Sequence, residues 1–183
     1  MTFLFTQENL ELAKNAVAKY PENRKKSAVM ELLWIAQRQN NNWIPQEAII
    51  YIAKFLEMPE VRVFEVVTFY SMYNLKPVGK YFIQACGTTP CVLMGSEDIM
   101  QIIKNELKIS DKEMTTDGLF SLLEVECLGA CSNGPMIQIN DDYYEDLTPE
   151  TIREILQALK NGKPVKIGSQ NGRKSAETNE LLQ

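Results

Sequence analysis

The sequence predicts an α+β protein. An N-terminal helical bundle occupies residues 1–75, a β-α-β-β-α domain follows over 76–162, and an extended tail covers 163–183. Three observations predict it. Before Asn74, apolar residues recur four times at the three-and-four spacing of a helix face. After the turn residues Pro77 and Gly79, short runs rich in aromatic and β-branched residues begin. After Gly162 neither period continues, and apolar side chains become sparse.

The first helix is predicted from a Thr6 cap to about Tyr20, with Leu10, Ala13 and Val17 on one face and Pro21 ending it. Ser27 is the expected cap of the second, whose stripe is Val29, Leu32, Leu33 and Ala36. Asn40, Asn41 and Asn42 break it. Pro45 opens a third helix with Ile49, Ile52, Ala53 and Leu56, and Pro59 a fourth with Val63, Val66, Val67 and Tyr70. These stripes read as core that four helices bury against one another.

Residues 81–85 read as a buried strand that ends at Cys86. Ser96 is the expected cap of a helix that starts with Glu97 and Asp98 and buries Ile99, Ile102, Ile103 and Leu107. A turn at Asp117-Gly118 leads to a strand over 119–126, which ends at Cys127. Residues 136–140 alternate, and a turn at Asp141-Asp142 with Tyr143 and Tyr144 beyond it predicts a hairpin. Thr148 and Pro149 open a last helix, with Ile152, Ile155, Leu156 and Leu159 facing inward and Asn161-Gly162 stopping it. The tail is expected to be disordered by itself and to order against a partner. Its Gly168, Gly172, Arg173, Lys174 and Ser175 lack the spacing and the preceding strand of a phosphate loop.

Composition narrows the function. The net charge is −5 and no basic stripe is interleaved with aromatics, so nucleic acid is not expected as a partner. The apolar run at 48–53 is far shorter than the roughly 20 residues of a membrane span, so no direct membrane insertion is expected. The N-terminus has neither a signal-peptide nor an Arg-rich transit pattern, which points to a reducing compartment. There is no histidine for acid–base work, no dinucleotide fingerprint after a strand and no carboxylate pair in a recognisable pocket. No catalytic residue is assigned.

Chemistry concentrates in the four cysteines, the only ones in the chain: Cys86 and Cys91 around a Gly-Thr-Thr-Pro loop, and Cys127 and Cys131 around Leu-Gly-Ala. Both pairs lie just beyond predicted strand ends, where ligands collect in α/β sheets. A zinc knuckle pairs its thiolates more tightly. These wider loops suit a two-iron cluster with two soft thiolates on each iron, and the absence of histidine excludes a Rieske centre. One all-cysteine [2Fe–2S] cluster uses the four thiols with none left over. Gly87 and Gly129 would let backbone approach it, and Thr88, Thr89, Ser132 and Asn133 could donate to its sulfurs. A structural zinc site in an interaction module, two disulfides, or buried free thiols are the alternatives. A lone one-electron centre without a substrate site means an electron carrier or one subunit of a larger redox machine.

The two cysteine motifs, with Trp43-Ile44-Pro45, Phe69-Tyr70-Ser71-Met72-Tyr73, Pro77-Val78-Gly79-Lys80 and Asn140-Asp141-Asp142-Tyr143-Tyr144, resemble the small [2Fe–2S] subunit family of NADH:quinone oxidoreductase, respiratory complex I. The resemblance spans roughly residues 25–160. It implies a helical bundle followed by a thioredoxin-like [2Fe–2S] ferredoxin domain, with Cys86, Cys91, Cys127 and Cys131 as cluster ligands. It implies a larger partner subunit that carries FMN and the NADH site and exchanges electrons with the cluster here, together with other peripheral-arm subunits. The complex would lie on the cytoplasmic side of a bacterial inner membrane, or on the matrix side for a processed mitochondrial chain. The tail resembles the longer C-terminal extensions of alphaproteobacterial and mitochondrial members. Equivalent subunits of NAD-reducing hydrogenases and NAD-dependent formate dehydrogenases are the near alternative.

Overall fold

The computed structural model describes residues 3–174. The chain divides after Val78 into two units. The first is helical: α1 (Gln7–Ala18), a 3-10 segment (Glu22–Ala28), α2 (Val29–Gln39), α3 (Gln46–Phe55) and α4 (Glu60–Phe69). Thr6 caps α1, accepting from the Asn9 amide at 3.3 Å. Ser27 does not cap α2; the 3-10 segment runs straight into it, and no side-chain cap is made. The stripes are buried as expected: Leu32, Leu33, Ala36, Ile52, Ala53, Leu56, Val63 and Val67 are each at most 1% exposed. Tyr70 is the exception, because α4 ends at Phe69 and the chain turns extended there, leaving the ring exposed. The segment after α4 is held instead by buried Gln37, which donates to Met72 O at 3.1 Å and accepts from Asn74 N at 2.8 Å.

The second unit is a sheet with helices packed on it. β1 (Tyr81–Cys86) is parallel to β2 (Phe120–Val125) and antiparallel to β3 (Ile137–Ile139). β3 is antiparallel to β4 (Asp142–Glu145), and β4 is parallel to the short β5 (Gly168–Ser169). The strand order is therefore β2-β1-β3-β4-β5. β1 and β2 end level, Cys86 opposite Val125, so both cysteine motifs leave the same end of the sheet. The hairpin turns at Asn140-Asp141, one residue earlier than expected, because Asn140 takes the left-handed conformation (φ 56°) and Asp142 already pairs with Ile139.

Three helices belong to this unit: α5 (Thr89–Leu93), α6 (Ser96–Leu107) and α7 (Pro149–Lys160). The core combines Ile83, Phe120, Leu122, Ile137 and Ile139 from the sheet with Ile99 and Ile103 of α6 and Ile152, Ile155, Leu156 and Leu159 of α7. The Thr148 cap is present as a reciprocal pair with Thr151. Ser96 is not a cap; Gly95, in the left-handed region (φ 97°), occupies the position before α6, and Ser96 is buried in its first turn.

The tail departs from expectation. Its β5 stretch is ordered on its own domain, against β4. Main-chain pairing to an edge strand needs no apolar period, which is why composition did not reveal it. Residues 175–183, including the Ser175 of the discounted phosphate loop, lie outside the described residues.

Candidate metal centre

Two loops build the site. The first leaves β1 at Cys86 and within three residues enters α5, with Pro90 in its first turn. Cys91 sits on this helix, so a rigid turn rather than an open loop carries it back beside Cys86, the two packed in one buried cluster. Both are buried, at 2% and 1% exposure, with Met136. Gly134 leaves room for Cys91: a Cβ there would meet its Sγ at 3.3 Å.

The second loop leaves β2 and carries Cys127 and Cys131, both exposed, with their Sγ atoms 3.3 Å apart. That separation is a contact between free thiols, well beyond the roughly 2.05 Å of a disulfide. Gly129 adopts φ 89°, which a side chain would strain, and this folds the loop so that its amide donates to Cys127 Sγ at 3.4 Å. Cys131 opens a 3-10 turn, Cys131–Asn133. The Tyr143 hydroxyl donates to Leu128 O at 2.7 Å, fastening the loop to β4.

The loops meet. Leu128 and Ala130 of the second pack against Cys86 and Cys91 of the first and against Met136, which stands just before β3. The Leu128 amide reaches Cys86, and the Thr88 side chain serves both Cys86 Sγ, at 3.3 Å, and Cys127. The thiols thus arrive as two close pairs. Among the described residues, no three or more His, Cys, Asp or Glu side chains gather as the ligand shell of a metal ion.

Within each pair one thiol ionises more easily. Burial raises Cys86, but hydrogen bonds from Thr88, Cys91 and Leu128 outweigh it and hold the thiol below its ordinary range. Cys91 is pushed up to about 12 by burial and by Cys86 beside it. The Gly129 amide and Cys131 lower Cys127, and Cys127 in turn raises Cys131.

The family follows from the sequence comparison. Residues 13–160 match the family model described as thioredoxin-like [2Fe–2S] ferredoxin. The chain belongs to the thioredoxin-like [2Fe–2S] ferredoxin family. It is 57% identical over 159 residues to a protein of Rickettsia bellii named as a subunit of NADH-quinone oxidoreductase, covering 87% of this chain and 95% of that one. It is 47% identical over 175 residues to the mitochondrial NADH dehydrogenase [ubiquinone] flavoprotein 2 of Dictyostelium discoideum, covering 96% of this chain and 71% of that one. A solved structure, the NAD+-reducing [NiFe]-hydrogenase in its air-oxidised state, matches with a TM-score of 0.63 at 16% identity. That likeness, over 72% of this chain and 23% of the hydrogenase chain, is one of fold.

The donor set of this family member suits a two-iron cluster: thiolates only, two per loop, with amide and hydroxyl donors aimed at sulfur. Of the expected sulfur donors, Thr88 is in place. Asn133 turns instead to the Asp146 carboxylate at 2.8 Å, and Ser132 Oγ lies 3.3 Å from Asn133 Oδ1. Gly87 faces the Glu124 carboxylate, whose Oε1 would be 2.5 Å from a Cβ there.

Sequence reasoning missed α5, too short to show a period, and missed Asp146, the buried carboxylate that anchors the second loop. Its donors, Asn133, Ser169 and Arg173, are 13, 23 and 27 positions away, and no local motif announces them.

Proposed function

We propose that the chain is the electron-carrying [2Fe–2S] subunit of an NADH–quinone oxidoreductase, respiratory complex I. The observation that carries this reading is the 57% identity along 95% of the Rickettsia relative, whose name places it in that enzyme. In this reading Cys86, Cys91, Cys127 and Cys131 hold one cluster, each pair serving one iron. The bound cluster supplies reversible uptake of a single electron, because soft thiolates stay attached in both redox states.

This chain's own residues do the rest. The Leu128 and Gly129 amides and the Thr88 hydroxyl donate to thiolate sulfur and stabilise its charge. Burial of Cys86 and Cys91 keeps water from one pair, while Cys127 and Cys131 stay at the surface for exchange with a partner. Leu93 and Met94, 80% and 56% exposed just past Cys91, supply apolar area at the same place. The partner is the flavin- and NADH-binding subunit, which carries FMN, among other peripheral-arm subunits. Residues 1–75 form the helical part, 76–162 the cluster-bearing domain and 163–183 the tail. In this reading the complex lies on the cytoplasmic face of a bacterial inner membrane; no helix of the described residues is long and apolar enough to cross a membrane.

The hydrogenase likeness, at 16% identity, adds no second reading. Co-expression with the flavin subunit tests the proposal. The two chains should purify together, and NADH should bleach the visible absorption contributed by this chain in the pair but not in the chain alone. An unchanged spectrum in the co-purified pair would contradict it.

A further inference from the structure

We propose that Arg173 is a positioning residue for the second cysteine loop, acting through Asp146 and Asn133. The tail segment it belongs to is then a clip built into the metal centre. Asp146 is 7% exposed and sits in the left-handed region, φ 53°. Its backbone amide donates to Asn133 O at 2.8 Å, and its Oδ2 accepts from Asn133 Nδ2 at 2.8 Å. Asn133 is thereby gripped from both main chain and side chain. It is the last residue of the turn that begins at Cys131, and its own amide donates to Ala130 O at 3.0 Å.

The other side of the carboxylate belongs to the tail. Ser169 Oγ donates to Oδ2 at 2.7 Å, and the Arg173 guanidinium forks onto Oδ1, Nε at 3.0 Å with Nη2 closer. Arg173 O accepts from Asn133 Nδ2 at 3.3 Å, closing the ring. A buried carboxylate needs such compensation, and charge-assisted bonds from two guanidinium donors to one of its oxygens supply the cationic part of it. Without Arg173, Asp146 loses its cationic partner, and the Asn133 bonds that hold the turn lose the group that fixes the carboxylate. The hydrogen bonds of Arg173 go to Asp146, Asn133 and Asn171 and none to a cysteine, so it acts by position.

The test compares the full-length chain with Arg173→Ala, Arg173→Lys and Arg153→Ala, the last losing an exposed ion pair between α7 and Glu106 of α6. Amide hydrogen exchange is followed by mass spectrometry on the chains as purified. Arg173→Ala should speed exchange roughly tenfold in peptides covering 127–134 and 144–147. Arg173→Lys, with charge but no fork, should fall between, and Arg153→Ala should match wild type. Unchanged exchange at 127–134 in Arg173→Ala overturns the clip, as does a rise of equal size throughout residues 79–160.

A second arm rests on the cluster reading. The rate at which an iron chelator strips the chain should rise several-fold in Arg173→Ala, in the same order as exchange. Faster exchange with unaltered iron release overturns the role at the metal centre. Wild type that holds no iron sinks the cluster reading, while the exchange arm still decides the clip.

Discussion

The hydroxyl of Tyr143 donates to the carbonyl of Leu128 across 2.7 Å, joining β4 to the second cysteine loop. It is a direct side-chain bridge from the sheet to that loop. Tyr143→Phe keeps the ring and removes the bond. The expected cost is about 1 kcal/mol of unfolding free energy, read as a shifted urea midpoint with the slope unchanged. A midpoint equal to wild type would mean that water replaces the tyrosine without loss.

Replacing any of the four cysteines by serine tests the ligand assignment. Each variant should lose iron or shift its visible absorption, because a hard hydroxyl replaces a soft thiolate. Full iron content with an unaltered spectrum in a Cys→Ser variant would remove that residue from the ligand set.

Asp146 makes acid stability sensitive to one group. Burial raises its carboxyl, but Ser169, Arg173 and Asn133 outweigh burial and hold it below the usual carboxylate range. A carboxyl depressed in the folded state contributes stability above its unfolded value of about 3.9, and that contribution is lost as pH falls through the folded value. Asp146→Asn should therefore be clearly less stable than wild type at pH 7, by roughly 1–3 kcal/mol. The gap should narrow below about pH 4. Parallel urea midpoints from pH 7 down to pH 3 would contradict this.

Gly79 leads into β1 with no room for a side chain: a Cβ would stand 2.4 Å from Phe120 C and 2.7 Å from Ser121 N. Both obstacles are backbone of the neighbouring strand and cannot swing aside. Gly79→Ala should destabilise by about 2 kcal/mol or more, seen as a lower melting temperature. An unchanged melting temperature would show that β1 and β2 part there at little cost.

Much of this was legible in the sequence, and the reasons are specific. Ile152, Ile155, Leu156 and Leu159 fall on one face of any helix, and all four are buried. The strands that lead to Cys86 and Cys127 were readable because Tyr81, Phe82 and Ile83 open the first and Phe120, Leu122, Leu123 and Val125 run through the second. Caps were legible only where the preceding chain was free to bend: Thr6 and Thr148 hold their helices, whereas Ser27 lies inside a 3-10 turn and Ser96 follows a left-handed glycine. The two-residue strand β5 and the Asp146–Arg173 pair were not legible. Their partners are far along the chain, and polar side chains choose partners only after the fold has brought them together.

Whether Cys86, Cys91, Cys127 and Cys131 hold one [2Fe–2S] cluster is decided by iron, sulfide and zinc analysis combined with electron paramagnetic resonance. The protein is purified without oxygen and then reduced with dithionite. About two irons and two sulfides per chain are expected, with a rhombic spin-one-half signal after reduction. About one zinc per chain, no sulfide and no signal in fully matured protein would contradict the cluster, and the cysteines would then be a structural clamp.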